Sequence, residues 1–225
     1  MREKRQPTKD TFTNLPPDKR SKIEAALVGE FAAKGYRNAS LNTMVKAAGI
    51  AKGSLYQYFA NKEAIFFHVF NLFVRTVKGM VQPPAERGAL AQGFWEVVRQ
   101  TMLAGVAFVE QYPDYYQLYL NVLFEHEVPE REELISRVRL FSMEFFGPLA
   151  EEGQRQGVVN PGVPVAMVVF VIDAALDRFL QGYARSYMDG GLKLAAKQGP
   201  ALIAEIDVLI AALQHGLAGQ GGKAN

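Results

Sequence analysis

A chain of 225 residues that is 49% hydrophobic is long enough for one large or two smaller domains with real cores, and its lack of cysteine excludes disulfides and thiolate metal sites. The formal charge of +2 conceals an asymmetry, because residues 1–62 carry 12 Lys/Arg against 5 Asp/Glu while the remainder carries 13 against 18. A basic head on an acidic body suits a protein that meets a polyanion with one end only.

The basic N-terminus lacks the apolar stretch of a signal peptide, and the longest apolar run, Val165 to Ile172, is too short to span a bilayer. The expectation is therefore a soluble, cytoplasmic protein with no membrane partner. Residues 1–15 are polar and basic without periodicity, and are expected to form a flexible arm. Pro16, Pro17 and Asp18 mark the start of a first helix, whose buried face is Ile23, Ala26, Leu27 and Phe31 and which Gly35 should end. Gly29 inside it costs roughly 1 kcal/mol relative to alanine, so packing must hold this helix.

Residues 40–62 carry the densest signal. Leu41, Met44, Val45 and Ala48 fall on one face of a short helix, with Ser40 placed to cap its start and Gly49 to close its end. A second short helix follows, with Leu55 and Phe59 inward. Two short helices joined by a tight glycine turn make a helix-turn-helix, whose second helix can lie in the major groove. That helix is expected to expose Lys52, Ser54, Tyr56, Gln57 and Tyr58 as donors to phosphates or base edges, while Gly53 lets the backbone approach DNA. Asn61 should cap a third helix, leaving Lys62 at its positively polarised start, a natural phosphate site. Ser40 and Thr43 complete the candidate DNA-binding set.

Residues 20–70 resemble the DNA-binding domain of the TetR/AcrR family of bacterial repressors. The resemblance rests on Ile23, Ala26, Phe31, Gly35, Tyr36, Ser40, Ala48, Gly49, Lys52, Gly53, Leu55, Tyr56, Tyr58, Phe59, Lys62 and Glu63, in register without a gap. Two positions depart from the family pattern: Glu30 stands where a larger apolar residue is usual, and Ala51 where a hydroxyl is common. Losing that hydroxyl cap costs about 1 kcal/mol of local helix stability.

Beyond the motif, helices are expected at about 62–80, 85–111, in a tyrosine-rich stretch after Pro113, from Pro129 to near Gly157, and at about 165–188 and 200–217. Gln82-Pro83-Pro84 is the clearest break, the 102–109 segment is apolar all round, and Gly147-Pro148 should kink or interrupt its helix. No strand pattern competes. The expected fold is all-α: a helix-turn-helix DNA-binding domain over 16–62, a larger helical bundle over 63–218 and a flexible tail over 219–225. The family resemblance implies the same architecture, with ligand binding and dimerisation in the second domain.

The aromatic residues of that domain exceed what a minimal bundle needs, and a small hydrophobic effector between its helices is expected to meet Trp95, Tyr116, Leu120, Phe141 and Phe145. The last two helices, with 165–172 apolar all round, are expected to form a homodimer interface. Asp173, Asp177 and Arg178 interrupt an apolar run. They admit a surface stretch, a salt bridge to Arg178 across a dimer, or a polar anchor in a pocket, with the dimer bridge ranked first. No placed nucleophile, phosphate loop or metal-ligand set argues for catalysis, a metal or a cofactor. The resulting expectation is a dimeric repressor released from a palindromic double-stranded operator by the effector. The alternative is a helical ligand-binding or scaffold protein whose head no longer reads DNA.

Overall fold

A computed structural model describes residues 10–81 and 93–216. The Gln82-Pro83-Pro84 break, the first residues of the 85–111 helix and the tail at 219–225 lie outside the described residues. Within them the regular structure is helical: α1 (Asp10–Thr13), α2 (Pro17–Asn38), α3 (Leu41–Ala48), α4 (Lys52–Tyr58), α5 (Lys62–Met80), α6 (Phe94–Gln111), α7 (Pro113–Phe124), α8 (Arg131–Arg155), α9 (Val165–Ala184) and α10 (Pro200–His215). No strand occurs among the described residues. None of their helices is long and apolar enough to cross a membrane.

The chain divides into two compact units, Met1–Gly79 with Tyr112–Ser136, and Met80–Gln111 with Arg137–Asn225. This partition cuts the chain differently from the boundary expected after residue 62, because both α5 and α7 pack with the head. The reason lies in side chains that periodicity does not reveal. Asn121 on α7 donates its amide to the carbonyls of Phe31 and Ala32 on α2, at 3.1 and 3.0 Å. Tyr119 stacks on Phe73 of α5, with ring centroids 5.6 Å apart. Arg131 then reaches back to the Val122 carbonyl at 2.8 Å and to that of Leu123, satisfying acceptors that the end of α7 leaves open.

In the same unit, α2 starts with Pro17 at its first position and buries Ile23, Leu27 and Phe31 along one stripe. Its regular turn ends at Gly35, as the sequence predicts, with φ 68° and ψ 179°. Phe66 of α5 packs edge-on against Phe31 and Tyr36, each at 5.1 Å. Glu30, the departure from the family pattern, accepts a hydrogen bond from the Ser40 backbone N–H at 2.8 Å.

Of the expected arm, residues 1–9 lie outside the described residues. Residues 10–13 form a helical turn whose Phe12 is fully buried. Its ring lies 5.4 Å from Tyr58, 5.0 Å from Phe59 and 5.1 Å from His68. A single apolar residue in a polar stretch has no periodicity to announce it, and only the tertiary partners reveal its burial.

The second unit is a bundle of α6, the later part of α8, α9 and α10. Its core includes Val98, Met102 and Val106 of α6, Phe146 and Leu149 of α8, Ile172 of α9 and Ile206 of α10. No residue from Met102 to Val109 is exposed, in line with that segment's all-round apolarity. A Cβ added at Gly105 would stand 2.8 Å from Leu180, so the missing side chain lets α6 and α9 approach closely. Pro148 does not interrupt α8. Both Pro148 and Glu144, whose carbonyl loses its i+4 donor, are exposed, so water can take that carbonyl.

The segment after α9 is pinned by Asp189, which is buried and accepts from the N–H groups of Gly191 and Leu194 at 2.9 and 3.1 Å. Tyr183 donates to Glu110 at 2.5 Å. Burial, followed by that bond and the charge on Glu110, pushes its phenol up to about 12.

Candidate nucleic-acid interface

The helix-turn-helix is built by local chemistry. Ser40 is extended and accepts from the Thr43 N–H at 3.4 Å, capping α3. Gly49 takes the left-handed conformation, φ 67° and ψ 36°, that closes α3. The Gly49 and Ile50 N–H groups bond the carbonyls of Lys46 and Val45, at 3.2 and 3.0 Å, a paired closure that fixes the turn into α4. Ala51 provides no side-chain cap to α4, as its methyl group dictates. The Asn61 side chain accepts from the Ala64 N–H at 2.8 Å and caps α5.

Of the expected DNA-contacting residues, Lys52, Gly53, Tyr56, Gln57 and Thr43 are exposed, while Ser40 and Ser54 are half-buried. Leu55 faces the core, as its spacing predicts. Tyr58 differs from expectation. It lies three residues after Leu55, on the same inward face, and its ring packs on Phe12, leaving 7% exposed. Its ring therefore belongs to the core of the head.

Lys62 is also more engaged than its helix-start position suggests. Its ammonium donates to the Arg37 carbonyl at 2.9 Å and sits 5.1 Å above the Tyr36 ring. Burial lowers its pKa below the ordinary lysine value, with the charge of Glu30 acting in the opposite direction. The ammonium has three donors, so this bond leaves further donors for a phosphate while tying the start of α5 to the end of α2.

Gly53 is informative because the fold does not need it. It lies within α4, and a Cβ built on it meets no heavy atom within 4 Å. Alanine is the better helix former, by about 1 kcal/mol in a helix interior and by less at this second position, so an empty exposed face is kept at some expense of helix stability.

The expected effector residues fall in different units. Tyr116 and Leu120 are buried in the core of the first unit, with Tyr116 6.0 Å from the Tyr119 ring. Trp95, Phe141 and Phe145 belong to the second. The indole N–H of Trp95 donates to the Val158 carbonyl at 3.1 Å, and Phe141 lies 6.1 Å from Phe145.

A separate groove of about 560 Å³ in the second unit is lined by α8 and α9, with Met143, Val169 and Phe170 beside Arg139, Ser142, Asp173 and Asp177. The charged partner here is one the sequence reading missed. Arg139 bridges Asp173 at 2.8 Å and Asp177 at 2.7 Å, and the Ser142 hydroxyl donates to Asp173 at 2.5 Å. Asp173 and Asp177 therefore find a cation within their own chain, a partner absent from the three expected accounts. Two carboxylates one turn apart demand a cation, and α8 supplies it from 34 and 38 residues away. Arg139→Ala removes the cation that the two carboxylates share and is expected to lower stability by about 1–2 kcal/mol. That is less than a fully buried broken pair, because all three groups keep some solvent. Thermal unfolding checks this, and an unchanged midpoint would mean the cluster contributes nothing to stability.

Comparison with known proteins places this geometry. Residues 23–69 match the model of the bacterial regulatory proteins of the tetR family. The chain is 24% identical over 186 residues to the probable acrEF/envCD operon repressor of Escherichia coli K12, covering 80% of this chain and 81% of that protein. A TetR family transcriptional regulator from Chloroflexus aurantiacus superposes with a TM-score of 0.70 and 27% identity, over 94% of this chain and 98% of that one. The regulator FadR from Bacillus subtilis, solved in complex with stearoyl-CoA, shares the fold with a TM-score of 0.68 and 18% identity, over 88% and 99% of the two chains.

Proposed function

We propose that this chain, which belongs to the tetR family of bacterial regulatory proteins, represses transcription as a homodimer bound to a palindromic operator and leaves it when a small hydrophobic effector binds. The observation that carries the DNA-binding part is the reading face of α4: exposed Lys52, Tyr56 and Gln57 around a Gly53 that the fold itself leaves open. A bare backbone there has value only to a partner that approaches closely. The basic charge of residues 1–62 selects a polyanion as that partner. A two-fold dimer presents two such helices to half-sites about 34–36 Å apart on one face of the duplex.

Gly53→Ala separates fold from function. It is expected to leave the head as stable or more stable, by up to about 1 kcal/mol, because it improves helix propensity. Its affinity for duplexes selected from a random pool by the parent chain is expected to fall at least about tenfold, the effect of one lost close contact worth about 1.4 kcal/mol. Denaturant unfolding and gel-shift titration read the two quantities. Unchanged affinity, or failure of the parent chain to select any duplex, would favour the alternative of a helical scaffold that no longer reads DNA.

The effector part is supported by the aromatic endowment of the second unit and by the lipid-like ligand that the Bacillus subtilis neighbour holds. Trp95, Phe141 and Phe145 are the apolar walls in this reading. For Tyr116 and Leu120, buried in the first unit, contact with a ligand requires that core to open. The ligand shifts operator affinity only by its differential affinity for the bound and released arrangements. A coupling of about 1–3 kcal/mol weakens the operator complex roughly 5- to 150-fold. Trp95 is the single tryptophan, so its fluorescence reports binding directly. Titrating stearoyl-CoA and hydrophobic aromatic compounds should change both that signal and operator affinity. Binding without a change in affinity would remove the switch.

A further inference from the structure

We infer that the helical turn Asp10–Thr13, ahead of the helix-turn-helix, is part of the DNA-reading apparatus, with Phe12 and Thr11 as positioning residues that hold the second half of α4 and the Gln57 backbone. The inference rests on the DNA-binding reading above and adds a residue set outside the matched family segment, which begins at residue 23.

α4 is poorly equipped to stand alone. It has seven residues, no side-chain cap at its start, and a glycine at its second position. A helix so short has little stability of its own and depends on what packs against it. The turn α1 supplies that support at the end opposite the missing cap. Phe12 is fully buried and its ring touches Tyr58, Phe59 and His68, the first two at the end of α4 and the third on α5. Thr11 donates its hydroxyl to the Gln57 carbonyl at 3.2 Å. That carbonyl belongs to the last turn of α4, whose acceptors have no partner within the helix.

The turn is in turn fixed to the rest of the head. The Leu15 N–H bonds the Phe12 carbonyl at 3.2 Å, and Arg20 on α2 donates to the Thr13 carbonyl at 3.1 Å. Gln57 itself is exposed on the reading face, so its backbone is gripped from behind while its side chain points to solvent. Loosening that grip changes the pose of Gln57 without removing any charge. It therefore affects discrimination between sequences more than general attraction to DNA.

The test uses the full chain with Phe12→Ala and Phe12→Leu. In the free protein, amide hydrogen exchange at 54–59 is expected to accelerate at least about tenfold in Phe12→Ala relative to 44–48, with Phe12→Leu partly restoring protection. For a duplex selected from a random pool by the parent chain, affinity is expected to fall about tenfold or more, while affinity for a scrambled duplex at low salt changes less than about twofold. Should Phe12→Ala unfold the whole head, exchange at 44–48 rises as well, and Phe12→Leu decides the matter by its local acceleration alone. Unchanged exchange at 54–59 in both variants overturns the grip. Equal losses on selected and scrambled duplexes overturn its role in reading. If the parent chain selects no duplex, the DNA-binding reading fails, and the exchange measurement still judges the grip.

Discussion

Gly35→Ala is expected to destabilise the head by about 2–6 kcal/mol, enough to unfold much of it at ambient temperature. Two effects add. Gly35 sits at φ 68° and ψ 179°, a region essentially closed to residues with a Cβ, and forcing alanine there costs about 1–3 kcal/mol. A Cβ at this position also lands inside the carboxylate of Glu125. That side chain can swing away, but it then abandons the Tyr36 N–H, from which it accepts a hydrogen bond at 3.1 Å. A charged acceptor lost from a part-buried donor is worth about 1–3 kcal/mol.

The two contributions can be separated by a cycle with Glu125→Ala. In that background the steric conflict is gone, so Gly35→Ala is expected to cost only the backbone strain. Urea unfolding followed by circular dichroism measures each corner. An equal cost in both backgrounds would show that Glu125 relaxes freely, whereas no cost in either would contradict the conformation of Gly35 itself. Because the segment from Gly35 leads directly to the Ser40 cap of α3, this loss should extend into the helix-turn-helix.

Phe170→Asp is expected to convert the dimer proposed above to monomers at micromolar concentration. The motivation is an apolar face that the second unit leaves open. Phe170 on α9 is 67% exposed and Val208 on α10 is 66% exposed, accompanied by Met167, Val171 and Ile203. Two helices with such a face, contributed by each of two copies, make a four-helix interface. In a two-fold interface every substitution occurs twice. Truncating a central aromatic costs about 2–4 kcal/mol per copy, and burying an unpaired carboxylate adds to it. The dissociation constant should rise by at least about 1000-fold, which is 4.1 kcal/mol. Phe124→Asp is the matched control, since Phe124 is also exposed but lies in the first unit. Sedimentation distinguishes the outcomes: a Phe170→Asp variant that stays dimeric places the interface elsewhere. Operator affinity should fall with dimerisation, because the two half-sites are then bound independently.

The parts of this protein legible in its sequence are those that local chemistry decides. The apolar spacing of Leu41, Met44, Val45 and Ala48, the Ser40 and Asn61 caps and the left-handed Gly49 reappear in the structure, because each depends on neighbours a few residues away. The exposure of Lys52, Tyr56 and Gln57 follows from the same helical period. The all-helical fold was legible for the same reason.

Other features were decided by contacts between distant stretches of chain, which no periodicity encodes. Tyr58 turned inward because Phe12, in a stretch without pattern, was there to pack against it. Asp173 and Asp177 turned to Arg139 on the neighbouring helix because a part-buried carboxylate takes the nearest cation that geometry allows. Residues 112–136 joined the head because Asn121 and Glu125 satisfy backbone groups of α2 some 90 positions earlier. Spacing along a helix says which side chains share a face. What that face meets is fixed only when the chain folds back on itself.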